Sequence, residues 1–460
     1  MRANDYFIIP ISVAILITLL SVIITKRTLG SSKSAGGERT PPGPWKLPII
    51  GNLHQLATGS SLPHRRLAEL AQQYGPLMQL QLGEIPTVIV SSAEWAKEMR
   101  KIVAMELLGA RRTKMLRPIM EEEMAKLVGL INTKPTINLT EMMLSLGNSI
   151  TCRAAFGKIQ KQEEVFLPFI KQFMKMLGGF SLVDLFPSSN LLRLLVANAA
   201  ERKLKKVHSA ADAIMETIIN DRLAKRSSKK AAAGNDDEDL LGVLLNLKDT
   251  DDLGFTEIKA VILVSHISDT WTITVEWAMS ELMKHPRVME KAQREVRKVF
   301  NGKGSIDRLQ YLQLVLKETL RLHPPGPLAI PRESKETVMV NGYKILAKTR
   351  VFVNLWAINR DPHHWTQPEV FEPERFLNSS VDFRGTDFHY LPFGAGRRMC
   401  PGMHYGLALA YLSLANLIYH FDWKLPHQMK PEDLDMSERF GIEVKRQKNL
   451  ILIPAPYHPR

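Results

Sequence analysis

The chain has 460 residues, 45% hydrophobic and 7% aromatic, which excludes a disordered or collagen-like protein and calls for a large core. Its two cysteines, Cys152 and Cys400, exclude a disulfide-rich secreted scaffold and a Cys-rich zinc module. A net charge of +14 suits anionic lipid or an acidic protein surface; the basic residues are scattered, with no aromatics between them, which argues against nucleic acid.

Residues 6–25 form an uncharged apolar run, about the length a bilayer helix needs. Lys26, Arg27, Lys33 and Arg39 follow it and only Arg2 precedes it, so the positive-inside bias places the rest of the chain in the cytosol. The sequons at Asn138 and Asn378 would then stay unmodified. Pro41, Pro42 and Pro44 predict a stiff extended segment. The expected organisation is an anchor at 1–27, a hinge at 28–45 and one domain over 46–460.

Within that domain, residues 77–90 read as two strands joined around Gly83. From Trp95 to about Leu247 the pattern is helical, broken by the charge blocks of Arg226–Asp239. The central helix is expected from about Thr256 to Lys284. Its apolar pattern is interrupted by His266, Ser268, Asp269 and Thr270, for which a polar face turned to water is the plain alternative. Pro286 opens the next helix, where Glu290 and Arg294 form an i,i+4 pair. A helix over Leu309–Arg321 stops at His323-Pro324-Pro325. Short strands fill 328–358, with a turn at Asn341-Gly342, and a last helix spans Met403–Tyr419. The fold class is mainly α with a small β portion.

The stretch PFGAGRRMCPG, Pro392–Gly402, carries the chemistry. Its glycines permit close backbone approach, so the loop can hold Cys400 against a flat cofactor with amides aimed at the sulfur. A buried structural cysteine is the alternative. A dinucleotide loop is excluded, because the third glycine and a preceding strand are missing.

Phe393, Gly396, Arg398, Cys400 and Gly402 resemble the heme-binding loop of the cytochrome P450 superfamily. KETLR supplies Glu318 and Arg321 and PERF supplies Arg375, in the order that the family places them. The resemblance extends over essentially the whole chain and is strongest to plant microsomal members that oxidise terpenoids and related lipophilic metabolites. It implies a P450 fold with heme b bound through Cys400, Arg332, Arg398 and Arg100 near the propionates, and a buried network of Glu318, Arg321 and Arg375. It further implies an endoplasmic-reticulum anchor, electrons from an NADPH-dependent P450 reductase, and insertion of one oxygen of O2 into a lipophilic substrate. Asp269 and Thr270 match the acid–alcohol pair that relays protons. Val264, Ile267, Leu328, Ala329, Ile330 and Ile442 match pocket-facing positions.

Three departures stand out. His266 and Ile267 replace the small residues that leave room for O2. His266 therefore has three readings: no role, a block of the pocket, or a sixth ligand to iron. A few dozen residues of the family pattern are missing between Glu98 and Arg100, and a smaller gap falls in Gly304–Leu312. Such losses have the pattern of a mis-spliced or mispredicted transcript, and an inert, heme-poor member is the alternative function.

Overall fold

A computed structural model describes residues 40–57, 62–92, 110–156, 185–186, 198–228, 241–242, 244–245, 255, 258–259, 270–396, 399–400, 402–439 and 441–459. The short helix α1 (Leu53–Ala57) precedes α2 (Pro63–Tyr74). Pro63 sits at the first turn of α2, where no amide partner is needed, and Leu67 and Leu70 turn inward. The alternating stretch at 77–90 forms β1 (Leu77–Leu82) and β2 (Ile85–Val90), antiparallel and turning at Gly83 as expected.

The helical region contributes α3 (Ala110–Asn132), α4 (Leu139–Phe156) and α5 (Asn198–Ser228), with β3 (Ile137–Asn138) between α3 and α4. The central helix is described as α6 (Thr270–Lys284), and α7 (Pro286–Asn301) follows. Val288, Met289, Ala292 and Val296 of α7 face inward, while Arg294 and Glu290 pair at 2.6 Å on the exposed side. Helix α8 (Gln310–Leu322) ends before the expected His-Pro-Pro stop. Past Gly304, a single 3-10 turn at Ile306–Arg308 joins α7 to α8.

Four short strands follow: β4 (Arg332–Glu333), β5 (Val338–Val340), β6 (Tyr343–Ile345) and β7 (Arg350–Val353). Asn341 and Gly342, with φ of 45° and 79°, make the two-residue turn between β5 and β6. Then come α9 (Leu355–Ile358), α10 (Met403–His420), β8 (Phe421–Lys424), β9 (Glu438–Arg439), β10 (Lys445–Arg446) and β11 (Ile451–Pro456).

The helices α3, α4, α6, α8 and α10 share one apolar core that includes Met124, Ile150, Trp271, Met279, Leu316 and Leu414. The largest sheet has the order β1-β2-β7-β4, with β2 parallel to β7. Helix-dominated architecture with small sheets matches the expected fold class. The apolar run at 6–25 lies outside the described residues; among those described, no helix is long and apolar enough to cross a membrane.

Candidate active site

The cysteine loop is closed by its own backbone. Gly394 N donates to Leu391 O at 2.9 Å, Met399 N to Gly396 O at 3.1 Å and Cys400 N to Phe393 O at 2.9 Å. Gly394 and Gly396 have φ of 72° and 73°, values that side chains strain to reach. A Cβ placed on Gly394 would meet nothing within 4 Å, so the backbone there borders open space.

Cys400 is exposed as a residue, while protein atoms crowd its thiol. That crowding pushes the thiol up from its usual range, opposed by the Gly402 amide, which donates to the sulfur. Gly402 is also the N-cap of α10, which sets the positive end of the helix dipole beside the sulfur. A thiol so placed gives up its proton when a metal ion takes it. An exposed cysteine, an amide aimed at its sulfur and open space beside a glycine turn suit an iron-bearing macrocycle. The half-buried Phe393 packs on the main core and edge-on to Phe383, at 5.8 Å between centroids.

The network expected of Glu318, Arg321 and Arg375 is present and buried. Arg321 Nε donates to Glu318 Oε2 at 2.8 Å and its Nη2 to Oε1 at 2.9 Å. Arg375 Nε and the Glu372 amide each reach the same Oε1 at 2.9 Å. The remaining guanidinium protons go to carbonyls: Arg321 to Asn359, Pro368 and Val370, Arg375 to Thr366, Gln367 and Val370. The Glu318 and Arg321 side chains are 0% exposed. Every polar group finding a partner is what makes a buried ion network tolerable.

Thr270 is the first described residue of α6, half-buried, and its carbonyl accepts from Thr274 Oγ1 at 3.2 Å. Arg332 is half-buried on β4, paired with Val351 of β7. Leu328 is packed among Leu67, Leu80 and Phe352. Ala329 bends at φ 52°, Ile330 is 64% exposed and Ile442 is half-buried. Arg100, Val264, His266, Ile267, Asp269 and Arg398 lie outside the described residues.

Sequence reasoning missed a second buried cluster, around Glu281. His323 Nε2 donates to Glu281 Oε1 at 2.6 Å, and His285 Nδ1 lies 3.2 Å from Oε2. Burial alone would raise this carboxyl, but the bonds from His285 and His323 hold it down to about 2. Glu281 and Trp277 fall on the same helix face as Thr270, but an apolar helix pattern hides that spacing.

Fold and site together fit a heme-binding protein in which Cys400, on a glycine-turned loop ahead of a helix, would hold the iron. The cytochrome P450 family model matches residues 41–101 and 93–453. The chain is 42% identical over 505 aligned positions to desmethyl-deoxy-podophyllotoxin synthase of Sinopodophyllum hexandrum, covering 99% of this chain and 98% of that one. It is 41% identical to premnaspirodiene oxygenase of Hyoscyamus muticus over 492 positions, covering 96% and 97%. It is also 41% identical to 5-epiaristolochene 1,3-dihydroxylase of Nicotiana tabacum over 494 positions, again covering 96% and 97%. The chain belongs to the cytochrome P450 family of heme-binding monooxygenases.

The match also shows a loss. An alignment of 505 positions to a chain of 460 residues leaves at least 45 positions with no residue of this chain. The family model aligns in two segments that meet at residues 93–101, where the sequence had suggested the larger gap.

Proposed function

We propose that the chain is an endoplasmic-reticulum monooxygenase that hydroxylates a lipophilic plant secondary metabolite, with a terpenoid the favoured substrate class. A C–H bond, O2, two electrons and two protons yield an alcohol and water. The electrons come from NADPH through a membrane-bound flavoprotein reductase. Relatives named as an oxygenase of premnaspirodiene and a dihydroxylase of 5-epiaristolochene support the substrate class. The uncharged run at 6–25, followed by basic residues, supports a single-pass anchor with a cytosolic domain.

The observation that carries the reading is the Cys400 loop, with its exposed cysteine, the Gly402 amide and the buried Glu318 network. Heme, when bound, supplies the redox-active iron on which O2 is reduced, and a thiolate ligand favours O–O cleavage. The protein's own part is to present that thiolate and to hold the loop rigid. Thr270 and Asp269 would serve as the alcohol and the acid that pass protons to the reacting oxygen. Arg332 and Arg398 are the cations suited to the carboxylates of a porphyrin.

A ferrous–CO difference spectrum with the red-shifted thiolate band, then NADPH-driven oxidation of a terpene panel in reductase-containing microsomes, tests this reading. The positions of the relative that this chain lacks favour a second reading, a heme-poor member without turnover; a missing thiolate band would establish it. Asn378 and Ser380 are exposed, so their sequon reports orientation. An unglycosylated Asn378 in a membrane-extracted protein is the expected result, and glycosylation there would place the domain in the lumen.

A further inference from the structure

The face of α6 that carries Thr270 does more than offer an alcohol. At 3.6 residues per turn, Trp277 and Glu281 lie within about 20° of Thr270 around the helix axis. Trp277 is 1% exposed, and its ring lies against His323 with centroids 4.1 Å apart and planes 3° from parallel. The indole Nε1 donates to Val444 O at 3.3 Å, and Val444 N donates to Pro325 O at 2.8 Å. His323 is held in turn by Glu281 at 2.6 Å.

Two chain segments are thereby joined to each other and to one side chain of the helix. Pro325 lies three residues before Leu328, and Val444 lies two residues after Ile442. Both segments carry positions that the family resemblance assigns to the substrate pocket, Leu328, Ala329 and Ile330 in one and Ile442 in the other. A buried aromatic stack with a hydrogen bond at its edge has few alternative geometries. Any shift of the indole must carry both segments with it.

We infer that the Trp277–His323 stack is a positioning device that registers the Leu328–Ile330 and Ile442 segments against Thr270. It thereby sets the cavity width and which carbon of the substrate faces oxygen. The inference rests on the monooxygenase reading for the meaning of the cavity, but the mechanical linkage does not. Trp277 and His323 touch no reacting atom in this scheme, so their effect falls on selectivity.

Trp277→Phe keeps a ring in place and removes the N–H, and His323→Leu removes the stacking partner. Binding of imidazole and of 4-phenylimidazole to the holoprotein, read from the heme spectrum, compares a small probe with one that fills the cavity. Trp277→Phe is expected to change the ratio of the two affinities by about fivefold, the worth of one buried hydrogen bond, with imidazole binding nearly unchanged. Hydrogen exchange on the same samples is expected to speed up together at residues 325–331 and 441–446. A lower melting temperature with an unchanged affinity ratio overturns the inference, as does faster exchange in only one segment. If His323→Leu fails to fold, Trp277→Phe carries the test alone. If the wild-type chain shows no thiolate band, the monooxygenase reading has failed separately. Exchange in the heme-free chain then decides the linkage: coupled segments support it and uncoupled segments overturn it.

Discussion

Glu318 and Glu281 are both carboxylates buried between helices, yet they are partnered in different ways. Glu318 accepts from two arginines and a backbone amide, and carbonyls take up the other guanidinium protons. Glu281 accepts from two histidines, one of which, His285, is partly open to solvent. Guanidinium groups keep their charge across the range in which proteins fold, whereas imidazoles do not. The first site is a fixed brace between α8 and the segment 359–375. The second is a joint whose strength depends on protonation.

The largest effect that would expose the contrast is Glu318→Gln. It leaves Arg321 and Arg375 buried without a counter-charge, and a loss of about 3–5 kcal/mol is expected. Denaturant unfolding and heme incorporation during expression measure it; a fully heme-loaded variant of native stability would remove the network's role as a brace. Glu281→Gln is the matching change at the joint. It keeps one acceptor oxygen for histidine partners, so a smaller loss of about 1–3 kcal/mol is expected by the same unfolding measurement.

The pH response should separate the two sites further. Glu281 is depressed from 4.5 to about 2, so its stabilisation is complete above 4.5 and is lost as pH falls toward 2. His285 is raised above 6.5, first by its bond to Glu281, so its contribution is complete below 6.5 and is lost as pH rises through the raised value. Thermal midpoints should therefore peak between these limits. His285→Gln should flatten the alkaline decline, and a decline of unchanged steepness would show that His285 does not cause it. The smallest effect belongs to the exposed Glu290–Arg294 pair, where Arg294→Ala should cost no more than about 0.5 kcal/mol.

Local chemistry made much of this molecule legible in advance. The turn at Gly83, the Pro286 helix start and the Asn341-Gly342 hairpin each depend on residues adjacent in sequence. The Glu318, Arg321 and Arg375 network was legible only through resemblance, since the carbonyls of residues 359–370 that complete it carry no side-chain signature. Pairing of β2 with β7 joins segments some 260 residues apart, and alternation within a strand does not say which partner it takes. The Glu281 joint was hidden because Trp277 and His323 fit an apolar helix and a helix stop equally well. Of the expected acid–alcohol pair, Thr270 starts the described helix, while Asp269, like His266, falls outside the described residues.

Strand β11 is the middle member of its sheet, between β3 and β8. Its pairing with β3 brings Leu452 against Ile137, so a segment made late in translation is needed by one made early. Until the ribosome releases that stretch, the edges of β3 and β8 stay unpaired and open to other chains. Premature termination ahead of Ile451 would therefore be expected to send the nascent protein to chaperones and degradation rather than merely shorten it.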